Sequence, residues 1–312
     1  MRVFVAGATG TIGRRLVPSL VEAGHEVTGM TRSPDKADAL RAAGAEPAAC
    51  DALDAEALHG AVAAAKPEVV VHELTAIPPA FNPRRMAEEF APTNRLRTEG
   101  TRNLVDAAVA AGARRIVAQS IAFAYAPTGG WVKTEDDELF LDAPESFRST
   151  IEAVQALEAA VLGEEGVEGL VLRYGFFYGA GTSYASDGFI AEQVRRRRFP
   201  VGGRGTGRFS FIHLEDAVRA TVAAVEGGPP GKYNVVDDDP APVSDWLPAY
   251  AAALGAPTPR RLPGWLVRLV AGPYALYTMT ELRGASNARA RERLGWAPQL
   301  SSWRQGFGAA LG

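Results

Sequence analysis

Apolar residues open the chain as a short unbroken run, Val3–Phe4–Val5–Ala6, and then recur at helical spacing through Ile12, Leu16, Val17, Leu20 and Val21. The first pattern is that of a buried strand, the second that of a helix lying against it. The alternation then repeats. Apolar runs at His25–Thr31, Ala45–Cys50, Glu68–His72, Ile116–Gln119 and Val167–Leu172 predict further strands with helices between them. Glu68–His72 is nearly all apolar, which predicts a central parallel strand covered on both faces. A long helical stretch from about Arg84 to Ala111 is expected to bend near Pro92. Ile151, Val154, Leu157 and Val161 mark one face of a helix over Ser149–Leu162. Strands alternating with helices specify an α/β fold, a Rossmann-type doubly wound parallel sheet.

Beyond Arg173 the alternation stops. Glycine-rich segments (Gly179–Gly181, Gly202–Gly207), a helix near Phe189–Arg198 and a proline-rich tail predict a smaller C-terminal substrate lobe. The expected division is a dinucleotide-binding domain over residues 1–173 and a mainly substrate-binding lobe over 174–312. Segments around 211–236 are expected to return to the sheet. Ala126–Pro144 holds prolines, glycines and the acidic cluster Glu135–Glu138, and reads as a surface loop over the site. The run Arg195–Arg198 reads as a solvated helix end.

Composition narrows the class by exclusion. A length of 312 residues, 47% of them hydrophobic, supports a large core, and a net charge of -3 gives no electrostatic case for nucleic acid. The single cysteine, Cys50, excludes an internal disulfide framework and offers no zinc cluster, so no metal is expected. The Trp265–Val270 run is short and interrupted by Arg268, so it cannot span a bilayer. The chain starts with a strand motif instead of a charged segment and an apolar signal core. A cytoplasmic protein with a small-molecule substrate, and without nucleic-acid or membrane partners, is the expectation.

The turn after the first strand carries the clearest chemistry. Gly7, Gly10 and Gly13 stand three apart around Thr9, Thr11 and Ile12. Glycines there let the backbone turn tightly, approach a phosphate, and pack helix against strand, while the new helix points free N–H groups at an anion. The second strand ends in Arg32, with Ser33 and Lys36 close by, where a dinucleotide fold meets the adenosine ribose. A carboxylate there favours a free 2′-hydroxyl, whereas a guanidinium accommodates a 2′-phosphate. NADP is therefore favoured over NAD. Asp51, followed by Ala52 and Leu53, is the candidate partner of the adenine amino group, and Asp54 reads as the N-cap of the next helix. Leu74, Thr75 and Ala76 follow the fourth strand at the carboxyl edge, where a cofactor would lie. His72 reads as a satisfied core histidine.

Several separate segments resemble the extended short-chain dehydrogenase/reductases, the NAD-dependent epimerase/dehydratase type. Gly7–Gly13 matches that family's GxxGxxG loop, and Glu99–Leu104 resembles its EGTxNL helix. Leu172–Gly175 with Tyr178–Gly179, Phe211–Asp216, Lys232–Val235 and Leu294–Gly295–Trp296 resemble its later signatures in order. The resemblance implies a nicotinamide dinucleotide cofactor. It also implies a tyrosine with a lysine four residues later on the helix after the acidic loop, the lysine lowering the tyrosine pKa for proton transfer. No Tyr-x-x-x-Lys occurs in this chain, and aligning the helix through Glu158 puts Thr150 and Val154 in the two places. Candidates for a replacement set are Ser120 at the end of the fifth strand, Tyr125 in the position of the family's VYG tyrosine, and Lys133 on the loop above. The family's serine also maps one residue later, onto Ile121.

Phe176, Phe177 and Tyr178 follow the sixth strand where the family's substrate lies, which implies an apolar or aromatic substrate or packing between the lobes. Arg208 resembles an arginine that grips substrate phosphate in nucleotide-sugar members. Family members often dimerise through helices corresponding to about 88–111 and 149–162, so a homodimer is a further expectation. Three readings follow. The chain is an NADP-dependent oxidoreductase on a carbonyl or alcohol with a rearranged acid/base set, a non-redox NADP-binding sensor or isomerase-like enzyme, or a nucleotide-sugar epimerase or dehydratase.

Overall fold

Seven parallel strands form the centre of the computed structural model, which describes residues 1–311, with side chains through residue 308. They are β1 (Arg2–Ala6), β2 (Glu26–Thr31), β3 (Glu46–Ala49), β4 (Val69–His72), β5 (Arg115–Ile121), β6 (Glu168–Tyr174) and β7 (Gly231–Val235). Their order is β7-β6-β5-β4-β1-β2-β3, and every neighbouring pair is parallel. The chain reverses its direction of winding between β1 and β4, which opens a crevice at the carboxyl edge of the sheet.

Alternating residues along β1 divide the core in two. Val3 and Val5 face the helices Gly13–Glu22 and Leu214–Glu226, together with Val71, Val117 and Leu172. Phe4 and Ala6 face the opposite helix layer with Val70, Ile116 and Ala118. All four residues of β4 are buried, as its apolar run requires. Strand ends move by one or two residues from the sequence expectation. The longest extension is in β5, which runs from Arg115 through Ser120 to Ile121.

The stretch after Arg84 is broken more than once. Helices Met86–Glu89 and Ala91–Arg95 are followed by a π-helical turn at Leu96–Gly100 and then the helix Thr101–Ala110. Pro92 sits near the start of its own short helix, where its missing N–H does no harm. The π turn was not foreseen, and such turns are frequent at functional sites.

The segment 126–144 is not a free surface loop. Val132–Lys133 pairs with Gly284–Ala285, and Tyr125 bridges to Leu139. Lys133 and Glu135 are buried as a result. The C-terminal part of the chain packs around aromatic rings, with Phe209 and Phe211 against Trp246 at 4.9 and 5.3 Å between centroids. Arg195–Arg198 are all exposed, as the sequence pattern suggests. No helix among the described residues is long and apolar enough to cross a membrane.

Candidate cofactor and active site

The glycine loop is a cradle that side chains would fill. Gly7 has φ +92°, and a Cβ there would lie 2.6 Å from the Glu73 carbonyl oxygen. A Cβ on Gly13 would lie 2.2 Å from the Gly7 carbonyl oxygen, and the Gly10 N–H donates to that same carbonyl at 2.9 Å. Thr9, Gly10 and Thr11 line the open side, while Ile12 is buried beneath. The helix starting at Gly13 has no side-chain cap and no acidic residue in its first turn. Its N–H groups and positive dipole end are left for an anion, so the residues present fit a dinucleotide diphosphate.

The remaining cofactor candidates lie along the same edge. Arg32 and Lys36 are exposed at and beyond the end of β2, and the Ser33 N–H donates to Thr31 Oγ1 at 3.2 Å. The Arg32 guanidinium stands 3.8 Å from one Asp51 oxygen, whose other oxygen accepts the Leu53 N–H at 3.0 Å. The Ala52 carbonyl accepts from the Asn103 amide at 2.9 Å. After β4, the Leu74 N–H donates to His72 Nδ1 at 3.2 Å, and the Ala76 N–H to Thr93 Oγ1 at 3.0 Å. Because Nδ1 accepts, the proton is on Nε2, 2.8 Å from Thr101 Oγ1. His72 is therefore a neutral core histidine that braces this loop. Burial, with Arg97 nearby, takes its pKa down to about 4.

Ser120 and Tyr125 belong to one buried network that does not include Lys133. Ser120 Oγ donates to Glu158 Oε1 at 2.8 Å, and Glu158 takes both arms of Arg173 at 2.7 and 2.5 Å. Arg173 also donates to the Tyr125 hydroxyl at 2.9 Å, and that hydroxyl donates to Asn234 Oδ1 at 2.6 Å. Burial pushes Tyr125 up to about 12, against the opposing pull of Arg173. Lys133 Nζ instead meets Asp137 at 2.9 Å. Lys133 makes no hydrogen bond to Tyr125. Thr150 and Val154, which the sequence comparison aligns with the family's pair, are buried, Thr150 against the Asn94 amide at 3.3 Å and Val154 among apolar neighbours.

A buried carboxyl that the sequence reading passed over stands beside the glycine loop. Glu73 follows β4 and is sealed from solvent. The Tyr174 hydroxyl lies 3.1 Å from Glu73 Oε1 and 2.7 Å from Thr221 Oγ1, and Thr221 donates to the Ala217 carbonyl at 2.9 Å. Glu73 Oε1 accepts from the Tyr174 hydroxyl, and Glu73 Oε2 is sealed without a hydrogen-bond partner. Burial pushes its pKa up to about 8. The folded protein therefore keeps a proton between about pH 4.5 and 8 that the unfolded chain releases. Stability then falls as pH rises through that window, by at most about 1.4 kcal/mol per unit. Glu73→Gln is expected to flatten this fall, measured by denaturant unfolding at pH 5, 6.5 and 8. An unchanged slope contradicts the protonated carboxyl.

Aromatic rings stand past the carboxyl ends of β5 and β6. Phe123 and Phe176 stack with centroids 4.3 Å apart and an interplanar angle of 14°, and both are half-buried. Phe81 and Phe189, also half-buried, meet at 5.8 Å. Phe177 packs against Tyr174 and the sheet's core, while Tyr178 is sealed among Phe211 and Phe307. Arg208 donates to the Pro240 carbonyl at 3.1 Å. Of the substrate candidates, Phe176 is thus the one joined to a partly open aromatic pair. Phe123 was missed because nothing in Ile121–Ala124 marks which side chain faces out. A hollow of about 900 Å³ between segment 126–142 and the helix Glu145–Leu162 has none of the glycine cradle in its lining. No group of three metal-ligating side chains occurs among the described residues.

A crevice at the switch point of a doubly wound sheet, with an uncapped helix behind a three-glycine turn, defines a dinucleotide-dependent enzyme of the Rossmann class. Residues 3–236 match the NAD dependent epimerase/dehydratase family, and the chain belongs to that family. It is 51% identical over 316 residues to a 3-diazoavenalumate denitrifying reductase of a Streptomyces species, covering 99% of each chain. It is 28% identical to the UDP-glucose 4-epimerase of Mycolicibacterium smegmatis, over 96% of this chain and 95% of that one. Among solved structures, UDP-glucose 4-epimerase of Thermotoga maritima with UDP-glucose superposes with a TM-score of 0.76 at 20% identity, over 99% and 97% of the two chains. A human epimerase family protein with NADPH superposes with a TM-score of 0.75 at 23% identity, over 99% of each chain. The chain is an NAD(P)-dependent enzyme of this family.

Proposed function

We propose that this protein is an NADPH-dependent reductase that replaces the diazo group of a small aromatic acid with hydrogen. The observation that carries the reading is the missing acid. No Tyr-x-x-x-Lys occurs in the chain, and Ser120, Tyr125 and Lys133 are each tied to other partners. Reduction of a carbonyl needs a proton for the new alkoxide. Removal of a diazonium group does not: bound NADPH would supply the hydride for the carbon, and the electrons of the broken C–N bond would leave with N2. The relative at 51% identity carries a denitrifying, diazo-directed name, which supports the same chemistry.

The chain's own residues have three tasks in this reading. Gly7, Gly10, Gly13 and the helix behind them hold the diphosphate, with Thr9, Thr11 and Ile12 shaping the loop. Arg32, Ser33 and Lys36 take the 2′-phosphate, Asp51–Leu53 the adenine, and Leu74–Ala76 the inner ribose. Phe123 and Phe176 form an aromatic wall for a planar substrate and keep water from it. A nucleotide-sugar epimerase is disfavoured, because Arg208 is committed to Pro240 and the pair that epimerisation needs is missing. The cytoplasm, where NADPH is at hand, is the matching location.

The test is to mix the protein with NADPH and a ring-substituted aryl diazonium acid, following absorbance at 340 nm and evolved gas. One NADPH consumed per N2 supports the proposal; cofactor bound but never consumed overturns it. Binding assays also check the cofactor choice. Arg32→Ala is expected to weaken NADPH by about tenfold while leaving NADH within about twofold, the worth of one charged phosphate contact. Equal losses for both cofactors would remove Arg32 from the phosphate site.

A further inference from the structure

Four cationic side chains of the described residues are buried: Arg97, Arg115, Lys133 and Arg173. Three of them meet a carboxylate. Arg115 lies 2.6 Å from Glu168, Lys133 2.9 Å from Asp137, and Arg173 2.5 Å from Glu158. Arg97, only 6% exposed, has no acidic partner and makes one long contact, Nη1 donating to Asn94 Oδ1 at 3.4 Å. A buried charge without a counter-charge is expensive, so a fold that retains one supplies its partner from elsewhere.

The surroundings of Arg97 hold no anion. Three residues before it, the Asn94 amide reaches Ser149 and Thr150 on the helix Glu145–Leu162. Four residues after it, Thr101 meets the neutral His72 at the end of β4. Arg97 is thus bracketed between the carboxyl edge of the sheet and the Ser149–Thr150 end of the helix Glu145–Leu162. It sits on the π turn Leu96–Gly100, whose extra residue interrupts the ordinary i→i−4 pattern of the helix. Its free nitrogens are not among the sealed, unpartnered polar atoms, which belong to His25, Glu73, Tyr178, Arg219, Trp246 and Arg283. They keep a little contact with solvent although the residue as a whole is 6% exposed. Burial pulls the guanidinium down to about 10, and it stays charged at neutral pH.

We propose that Arg97 is the substrate's anion site, receiving the carboxylate of an aromatic acid beside the Asn94 side chain that links it to Thr150. This rests on the reductase reading for the identity of the substrate, but not for the presence of the site. Arg97 is a binding residue that orients the ring. A guanidinium offers a carboxylate two parallel donors, which fixes direction as well as position. It also excludes an ester of the same acid, which brings no charge to balance the buried cation.

The test uses NADPH-loaded protein and the unreactive acid cinnamate, with methyl cinnamate as its uncharged counterpart, by titration calorimetry. Wild type is expected to bind the acid at least about tenfold more tightly than the ester. Arg97→Gln should bring the acid to the level of the ester, leave NADPH affinity within about twofold, and be partly rescued by Arg97→Lys. Retained NADPH affinity also shows that the variant is folded. Three results would each overturn the site: no preference for acid over ester, no effect of Arg97→Gln, or a loss confined to NADPH, which would assign the guanidinium to a cofactor phosphate. An Arg97-dependent acid preference in a protein that never consumes NADPH would keep this site and discard the reductase reading.

Discussion

Glu158→Ala is expected to lower the midpoint of thermal unfolding by on the order of 10 °C. The carboxylate is buried and takes both arms of Arg173, which is 1% exposed, as well as the Ser120 hydroxyl. Removing it strands a guanidinium in the core, a loss of about 3–5 kcal/mol, and each kcal/mol shifts the midpoint by about 2–4 °C in a chain of this size class. Ser120→Ala should cost only about 1 kcal/mol, because it removes a neutral donor and leaves the ion pair whole. Adding Arg173→Ala to Glu158→Ala should recover part of the loss, since the unpaired charge is then gone. Scanning calorimetry of the three variants decides this. A Glu158→Ala protein within about 1 kcal/mol of wild type would mean that the network contributes little.

Gly13→Ala is expected to weaken NADPH binding by about a hundredfold or more, on the order of 3 kcal/mol. The added methyl would lie 2.2 Å from the Gly7 carbonyl oxygen and within 3 Å of the Ala8 backbone, so helix and loop must separate. That movement pulls the helix N-terminus from the diphosphate position it is built to serve. Gly60→Ala is the control. Gly60 lies within the helix Ala55–Ala65 with open space around its Cβ position, and alanine there should leave binding unchanged and stabilise slightly. Titration of both variants with NADPH, alongside circular dichroism, separates lost binding from lost folding. Retention of affinity within about tenfold would contradict the cradle.

The central sheet is legible in the sequence because buried parallel strands are unbroken apolar runs that need no long-range information. The glycine loop is legible for a similar local reason. What escaped the sequence depends on partners far along the chain. Lys133 looked like a charge on a surface loop, yet its strand pairs with Gly284–Ala285 and its segment is pulled into the interior. Ser120 and Tyr125 looked like free hydroxyls until β6 brought Arg173 and the helix brought Glu158 to them. Arg97 is one of three arginines in a short helical stretch, with Arg95 and Arg102. Only the π turn and the absence of an acidic neighbour set it apart. Phe176 was found, because it follows β6 directly, but its stacking partner Phe123 was not.

Whether this site delivers hydride without a side-chain acid is decided by isotope. NADPH deuterated at C4 on each face in turn is supplied with an aryl diazonium acid in ordinary water, and the recovered arene is analysed by mass spectrometry and NMR. The account predicts one deuterium at the carbon that carried nitrogen, from one face only, in equal amount to the N2 released. Incorporation should be the same in Tyr125→Phe, whose hydroxyl is committed to Asn234 and Arg173. An arene carrying only solvent hydrogen, or NADPH recovered unconsumed, would contradict it.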